Sequence, residues 1–149
     1  IMPAIIILAL AYSLNDLSAM LNTAGFIIDN TESWLTPKLL PMLAFLITAI
    51  VAFSTGTSWG TYAIMIPIAV PLAFNFSGNE ITHIVYATVA AIAGGGVFGD
   101  HCSPLSDTSI LASTGAASDH IDHIKTQMPY ALTVGLISVL IYLLIGNTF

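Results

Sequence analysis

A ten-residue polar segment, Gly99 to Thr108, contains the side chains of this sequence that are best suited to bind or move ions. It lies between two strongly apolar segments that both look membrane-embedded. A carboxylate inside hydrocarbon costs about 2.5 to 3.5 kcal/mol on insertion scales, so intramembrane acidic residues usually have a function. The segment therefore predicts an ion or substrate pathway, with Asp100 as its main carboxylate.

Oxygen atoms dominate the chemistry of this segment. Its candidate ion ligands are Asp100, Ser103, Ser106, Asp107 and Thr108. Pro104 interrupts a continuous helix, which leaves carbonyl and N–H groups without partners at the two helix ends. Such a break can hold a sodium ion, and two carboxylates near one site can share protons when the cation leaves.

Three side chains of the segment also have ordinary structural interpretations. Asp107 fits the N-cap position of a helix that begins at Thr108, a role compatible with ion binding. His101 can relay a proton near neutral pH, or its ring can bond a backbone carbonyl in the break. Cys102 is interpreted as a small packing residue rather than a nucleophile.

Two further groups of polar residues are candidates. An uncharged break from Ser54 to Thr61 offers hydroxyl oxygens, and its alternative role is close helix packing through small residues. Its candidate ligands are Ser54, Thr55, Thr57 and Ser58. Asp16 in the first apolar segment is a candidate proton relay, or an interfacial carboxylate if it lies near a helix end. Residues 119–123 alternate Asp and His, but their spacing matches no structural zinc site, which favours a solvated connector.

The composition indicates an integral membrane protein. Hydrophobic residues make up 56% of the chain, charged residues only 7%, and the mean hydropathy is +0.92. Soluble domains carry about 25% charged residues. The two lysines, with a net charge of -6, provide no basic patch for nucleic acid. The single cysteine excludes a disulfide within the chain. We expect a multi-pass protein of the cell (inner or plasma) membrane.

Five apolar segments predict an all-α fold: residues 3–21, 39–53, 62–76, 81–98 and 130–145. The second and third are short for a span and meet at the uncharged break, which suits a re-entrant hairpin as well as two ordinary helices. A half-length piece at 109–117 follows the acidic break, and residues 118–126 are expected to form a loop. Because the chain begins in apolar residues without a basic flank, we expect residues 1–149 to be one transporter domain, the C-terminal part of a longer protein.

The long motif resembles the signature of the NhaC-type sodium/proton antiporter family. The resemblance covers Gly99 to Thr108, residues 113–116, 119–123 and 127–131, and also Phe53 to Thr61 followed by residues 64–67. It implies membership of the wider ion transporter superfamily. Members have two inverted repeats, each with a re-entrant hairpin and a discontinuous helix, and this chain would be the second repeat.

The resemblance implies secondary transport rather than an enzyme. Sodium ions and protons would be cargo exchanged across the lipid bilayer, with no bound cofactor; a homodimer is left open. The alternative is sodium-coupled exchange of a small organic anion, such as malate and lactate, or of an amino acid. Two hypotheses lie outside transport. An intramembrane enzyme could use Asp100 and Asp107, but it has no role for the hydroxyl-rich break. A channel or structural subunit needs no titratable pair.

Overall fold

The fold consists of α-helices. The computed structural model describes residues 35–148 and, before them, only Ser13, Asp16, Leu17, Met20, Leu21, Asn22, Phe26 and Asn30. Within 35–148 the helices are α1 (Leu40–Thr55), α2 (Ser58–Phe76), α3 (His83–Cys102), α4 (Asp107–Gly115) and α5 (His120–Thr148). This stretch contains no strand, so the all-α prediction is confirmed for it.

The helices differ in whether they can cross a membrane. By length and apolar composition alone, α2 with 19 residues and α5 with 29 residues can do so. Helix α1 is apolar but has 16 residues. At about 1.5 Å per residue it extends roughly 24 Å, which is less than a hydrocarbon core of about 30 Å. The short α1 agrees with the expected short arm before the first break, whereas α2 begins at Ser58 and is longer than the predicted segment 62–76.

Glycines on α3 allow α1 and α2 to approach its backbone closely. A Cβ atom on Gly95 would lie 2.5 Å from the carbonyl oxygen of Phe45 in α1, so only hydrogen fits there. Gly99, one turn later in α3, contacts the carbonyl of Ala49 in α1. Gly96 faces the ring of Tyr62 in α2. Small residues at such spacings are the usual means by which membrane helices pack without a large apolar driving force.

Three predicted boundaries were wrong. The first break was predicted from Ser54 to Thr61, but only residues 56–57 separate α1 from α2. Helix α3 continues through Asp100 to Cys102, so the break between α3 and α4 comprises only residues 103–106. Helix α5 begins at His120, whereas residues 118–126 were predicted to be a loop. The reason for the early start is Asp119, whose carboxylate accepts hydrogen bonds from the N–H groups of Ile121 and Asp122. An acidic residue in this position caps a helix and stabilises its first turn.

Candidate ion-binding site

A buried carboxylate lies at the end of α3, beside the break. Asp100 is 3% exposed, and its Oδ1 atom accepts a hydrogen bond of 2.8 Å from the hydroxyl of Ser106. Its Oδ2 atom faces the hydroxyls of Thr108 at 3.4 Å and of Ser58 at 3.5 Å. Hydroxyl groups from α2, from the break and from α4 thus surround one carboxylate.

Ser106 connects this cluster to the start of α4. Its hydroxyl oxygen accepts the N–H of Thr108 at 3.2 Å, which makes Ser106 the N-cap of the helix, and it lies 2.7 Å from the Thr108 hydroxyl. A hydroxyl has one hydrogen to donate, and Ser106 directs it to Asp100. Thr108 can then donate to Ser106 or, over a longer distance, to Asp100. The Oδ2 atom of Asp100 is therefore the oxygen with spare capacity for a cation or a proton.

No cationic side chain neutralises this carboxylate within the described part of the chain. The sequence has only two lysines and no arginine. Lys125 pairs with Asp122 at 3.7 Å on the surface, and Lys38 is exposed just before α1. A buried carboxylate without a positive partner is costly: the dipole of α4, whose first turn faces it, favours the charge, but the dipole of α3, in whose last turn it lies, opposes it. The arrangement suits a mobile monovalent cation.

The two breaks contact each other directly. Helix α1 ends at Thr55 and is followed by its C-cap Gly56, which has a left-handed backbone (φ 67°); α2 begins at Ser58. A Cβ atom on Gly56 would lie 2.8 Å from the carbonyl carbon of Leu105, in the middle of the other break. Glycine is thus required here by both its φ angle and the close approach of the Leu105 backbone. The contact brings the start of α2, with Ser58, towards Asp100.

Other predicted ligands stabilise the backbone around the breaks. Thr57 caps α2 by accepting the N–H of Gly60, and the Thr55 hydroxyl donates to the carbonyl of Val51 at 2.8 Å. Ser103 is fully buried and accepts the N–H of Leu105 at 3.2 Å. Ser54 is exposed, and its hydroxyl donates to the carbonyl of Ile50. None of these four predicted side chains hydrogen-bonds Asp100 among the residues described.

The remaining predicted residues are exposed. Asp107 is the first residue of α4 rather than its cap, so the predicted N-cap was wrong by one position; the extended backbone of Ser106 places its hydroxyl on the Thr108 N–H instead. His101 bonds the carbonyl of Val97 through Nδ1 at 3.0 Å, the structural alternative considered for it. Asp16 is a helical residue whose predicted partner Asn15 lies outside the described residues.

Two polar residues of this region were absent from the predicted site. Thr61 is fully buried, and its hydroxyl donates to the carbonyl of Thr57 at 2.8 Å. His120 reaches back to the second break: its Nε2 atom lies 2.9 Å from the carbonyl oxygen of Pro104. The alternation of Asp and His at 119–123 was the available signal, and it was interpreted as a solvated connector. Within the described residues, no three His, Cys, Asp or Glu side chains group as a metal site.

Two substitutions of Ser106 should separate its binding role from its capping role. Ser106→Ala removes the cap and the hydroxyl, whereas Ser106→Gly removes the hydroxyl but retains most of the capping preference. We expect both variants to weaken sodium binding to a similar extent, while Ser106→Ala loses up to about 1 kcal/mol more stability than Ser106→Gly because it also removes the cap. Sodium titration and thermal unfolding in detergent measure the two effects. Equal sodium affinity in Ser106→Gly and the wild type would contradict the binding role.

Comparison with known proteins shows the family of the chain. The sequence model of the Na+/H+ antiporter family matches residues 1–147. The chain is 41% identical, over 98% of its length, to an uncharacterised protein of Haemophilus influenzae, of which it covers 27%. It is 34% identical, over 75% of its length, to an uncharacterised Na(+)/H(+) antiporter of Haemophilus influenzae, of which it covers 23%.

A third relative is the arginine/ornithine antiporter ArcD of Halobacterium salinarum, with 34% identity over 96% of this chain and 28% of the relative. The chain thus spans about a quarter of the length of the curated relatives it matches. No solved structure matches it. Because the family match extends over nearly every residue, the chain belongs to the Na+/H+ antiporter family, a family of membrane transporters.

Proposed function

We propose that this chain forms part of a secondary transporter that exchanges sodium ions for protons, and that Asp100 binds the two cations in turn. The observation that carries the proposal is a carboxylate that is 3% exposed, surrounded by hydroxyl groups and without a cationic side chain among the described residues. Family membership supports the same cargo.

The hydroxyl groups explain why sodium and a proton would compete. When Asp100 is ionised, the oxygens of Ser58, Thr108 and the carboxylate can act as ligands to sodium, once the hydroxyl hydrogens turn away. When Asp100 is protonated, its O–H becomes a donor and needs a hydroxyl oxygen as acceptor. Both states use the Oδ2 atom and the same neighbouring oxygens. Sodium and the proton would therefore exclude each other, which is the requirement for exchange.

The same proposal assigns an architecture to the breaks. Helices α1 and α2 would be the arms of a re-entrant hairpin with its tip at Gly56, and α3 and α4 the two halves of a discontinuous helix. The short α1 and the contact between the two breaks support this arrangement. Residues 1–149 would form one of two inverted repeats in a multi-pass protein of the cell membrane. Ions in such transporters bind where interrupted helices meet.

The predicted residues outside the Asp100 cluster would have supporting roles. Thr55, Thr57 and Ser103 fix the backbone at the two breaks. The exposed side chains of Ser54, His101, Asp107 and Asp16 would belong to the path by which sodium or protons reach Asp100. Asp107 is the strongest candidate for this path because it lies next to Ser106 and adds negative charge at the start of α4. No resident cofactor is needed for this exchange.

An organic solute is the second candidate cargo. The printed name of the ArcD relative describes an antiporter of arginine and ornithine, and that relative matches 96% of this chain. Exchange of an amino acid, or of a small carboxylate such as malate or lactate, would use the same breaks. Sodium remains the favoured cargo because the described cluster offers one carboxylate and three hydroxyls, a set suited to a small monovalent cation.

Proteoliposomes containing the whole protein and a pH-sensitive dye distinguish the two cargoes. We expect an outward proton flux when an inwardly directed sodium gradient is imposed in the absence of any organic solute. Potassium in place of sodium controls for salt and osmotic effects. Proton flux that ignores sodium but begins when arginine, ornithine, malate or lactate is added would contradict sodium/proton exchange and favour the alternative.

A further inference from the structure

We propose that His120 is a positioning residue, which holds the break between α3 and α4 in the conformation that the Asp100 site requires. This inference rests on the proposed function of Asp100. His120 is the first residue of α5 and is half-buried. Its Nε2 atom lies 2.9 Å from the carbonyl oxygen of Pro104, and its Nδ1 atom lies 3.2 Å from the hydroxyl of Ser113.

The hydrogen bond to Pro104 has a fixed direction. A carbonyl oxygen can only accept, so the Nε2 atom of His120 carries the hydrogen. The other nitrogen, Nδ1, can either accept or donate. This is possible because the single hydrogen of Ser113 can go to Nδ1 or to the carbonyl of Ile110 at 2.9 Å. A neutral ring accepts from Ser113, and a charged ring donates to it. In both protonation states the bond to Pro104 is retained, which is the property expected of a structural tether.

This tether acts on the four-residue break 103–106, which contains Ser106, the residue that donates to Asp100. Within the break, the carbonyl of Ser103 accepts the N–H of Ser106 at 3.3 Å, and the carbonyl of Asp100 accepts the N–H of Ser103 at 3.1 Å. The carbonyl of Pro104 has His120 as its hydrogen-bond partner among the described residues. Pro104 lies two positions before Ser106, so a displaced Pro104 would shift the hydroxyl that donates to Asp100.

His120 also connects the two ends of α4. Pro104 lies just before the N-terminus of this nine-residue helix, and Ser113 lies in its last turn. At the N-terminal end, the Ser109 hydroxyl donates to the carbonyl of His101 in α3 at 3.0 Å. One ring on α5 thus holds the short helix and its preceding break together. Movement of α5, the longest helix described, would be passed directly to the residues around Asp100.

Variants of His120 in the whole protein test this role. His120→Ala removes both hydrogen bonds, whereas the amide of His120→Gln can still donate to the Pro104 carbonyl. His123→Ala is the matched control, because His123 is a half-buried histidine in the same helix whose ring makes no hydrogen bond among the described residues. Two quantities are measured: the KM for sodium in proton exchange, and the rate at which a maleimide labels buried Cys102 at the end of α3.

We expect His120→Ala to raise the KM for sodium about tenfold, the ratio that corresponds to one hydrogen bond at the upper end of its usual net strength, with an unchanged maximal rate. The maleimide should also label Cys102 faster in His120→Ala than in the wild type. His120→Gln should behave like the wild type, which a purely space-filling role for the ring would not produce. If His120→Ala fails to fold, the KM of His120→Gln decides the question.

Several results would overturn the inference. Equal KM and labelling in His120→Ala and His123→Ala would do so, as would a fall in maximal rate at constant KM, or a failure of glutamine to restore the KM. A wild-type protein without sodium-dependent exchange would contradict the proposed function alone. Labelling of Cys102 would then still decide the positioning role, because it requires no transport.

Discussion

Asp100→Asn is expected to abolish sodium-dependent proton exchange while leaving the protein folded. The substitution is nearly isosteric: the amide oxygen can still accept the hydrogen bond from Ser106, and the NH2 group in the place of Oδ2 can donate to the hydroxyl oxygen of Thr108 or Ser58. It removes the charge that attracts sodium and the group that takes the proton. Loss of one partner from a buried ionic interaction costs about 3 to 5 kcal/mol, so sodium affinity should fall on the order of a hundredfold or more. Dye-reported exchange in proteoliposomes and sodium titration in detergent provide the two measurements.

The matched control is Asp122→Asn, which makes the same chemical change at an exposed carboxylate on α5. We expect it to exchange sodium like the wild type. Asp107→Asn should cause a smaller loss than Asp100→Asn, because Asp107 is exposed and makes no hydrogen bond to Asp100. Full exchange by Asp100→Asn would remove this carboxylate from the mechanism. A larger loss in Asp107→Asn than in Asp100→Asn would move the site towards the solvent-facing carboxylate.

Gly56→Ala is expected to separate the two breaks. Alanine pays about 1 to 2 kcal/mol to adopt a left-handed backbone. Its Cβ atom would also lie 2.8 Å from the carbonyl carbon of Leu105, and overpacking of this kind typically costs about 1 to 3 kcal/mol more. Because relief of the contact moves the start of α2 away from the second break, Ser58 should lose its contact with Asp100. We therefore expect both a lower unfolding temperature in detergent and a weaker affinity for sodium.

Gly78→Ala is a precise control for this substitution. Gly78 has almost the same backbone angle (φ 66°), but a Cβ atom there would meet no atom within 4 Å. Gly78→Ala should lose only the stability that the left-handed backbone costs an alanine, and it should keep the sodium affinity of the wild type. The difference between the two variants measures the contact between the breaks. If Gly56→Ala and Gly78→Ala lose the same stability and both retain sodium binding, the close approach of the breaks is not needed for the site.

Much of the site could be predicted from residue types. Asp100 is a carboxylate between two apolar segments, and burial in such a position is costly enough to indicate a function. Ser106 and Thr108 follow within one turn of a proline, where oxygen ligands collect at a helix break. The structure places both hydroxyls beside Asp100, together with Ser58 from the other break. That last contact depends on helix packing, and the hydroxyl-rich segment alone does not distinguish Ser58 from Ser54.

The other features of the fold and the site could not be predicted, because they depend on competition between neighbouring cap residues and on long-range contacts. Ser106 and Asp107 are both good N-cap residues, and the preference between them follows from the backbone that enters α4. Asp119 initiates α5 ten residues before the apolar segment begins, a local cap that hydropathy does not register. His120 acts across sixteen positions on the Pro104 carbonyl. Such a contact has no local spacing pattern.

The central claim is that sodium and a proton compete for Asp100, and proton release on sodium binding tests it most directly. Sodium chloride is added to the purified whole protein in weakly buffered detergent solution, with a pH indicator and with potassium chloride as the control for ionic strength. We predict that sodium releases protons from the wild type, that potassium does not, and that Asp100→Asn releases none. Absence of sodium-dependent proton release from the wild type, or undiminished release from Asp100→Asn, would contradict the claim.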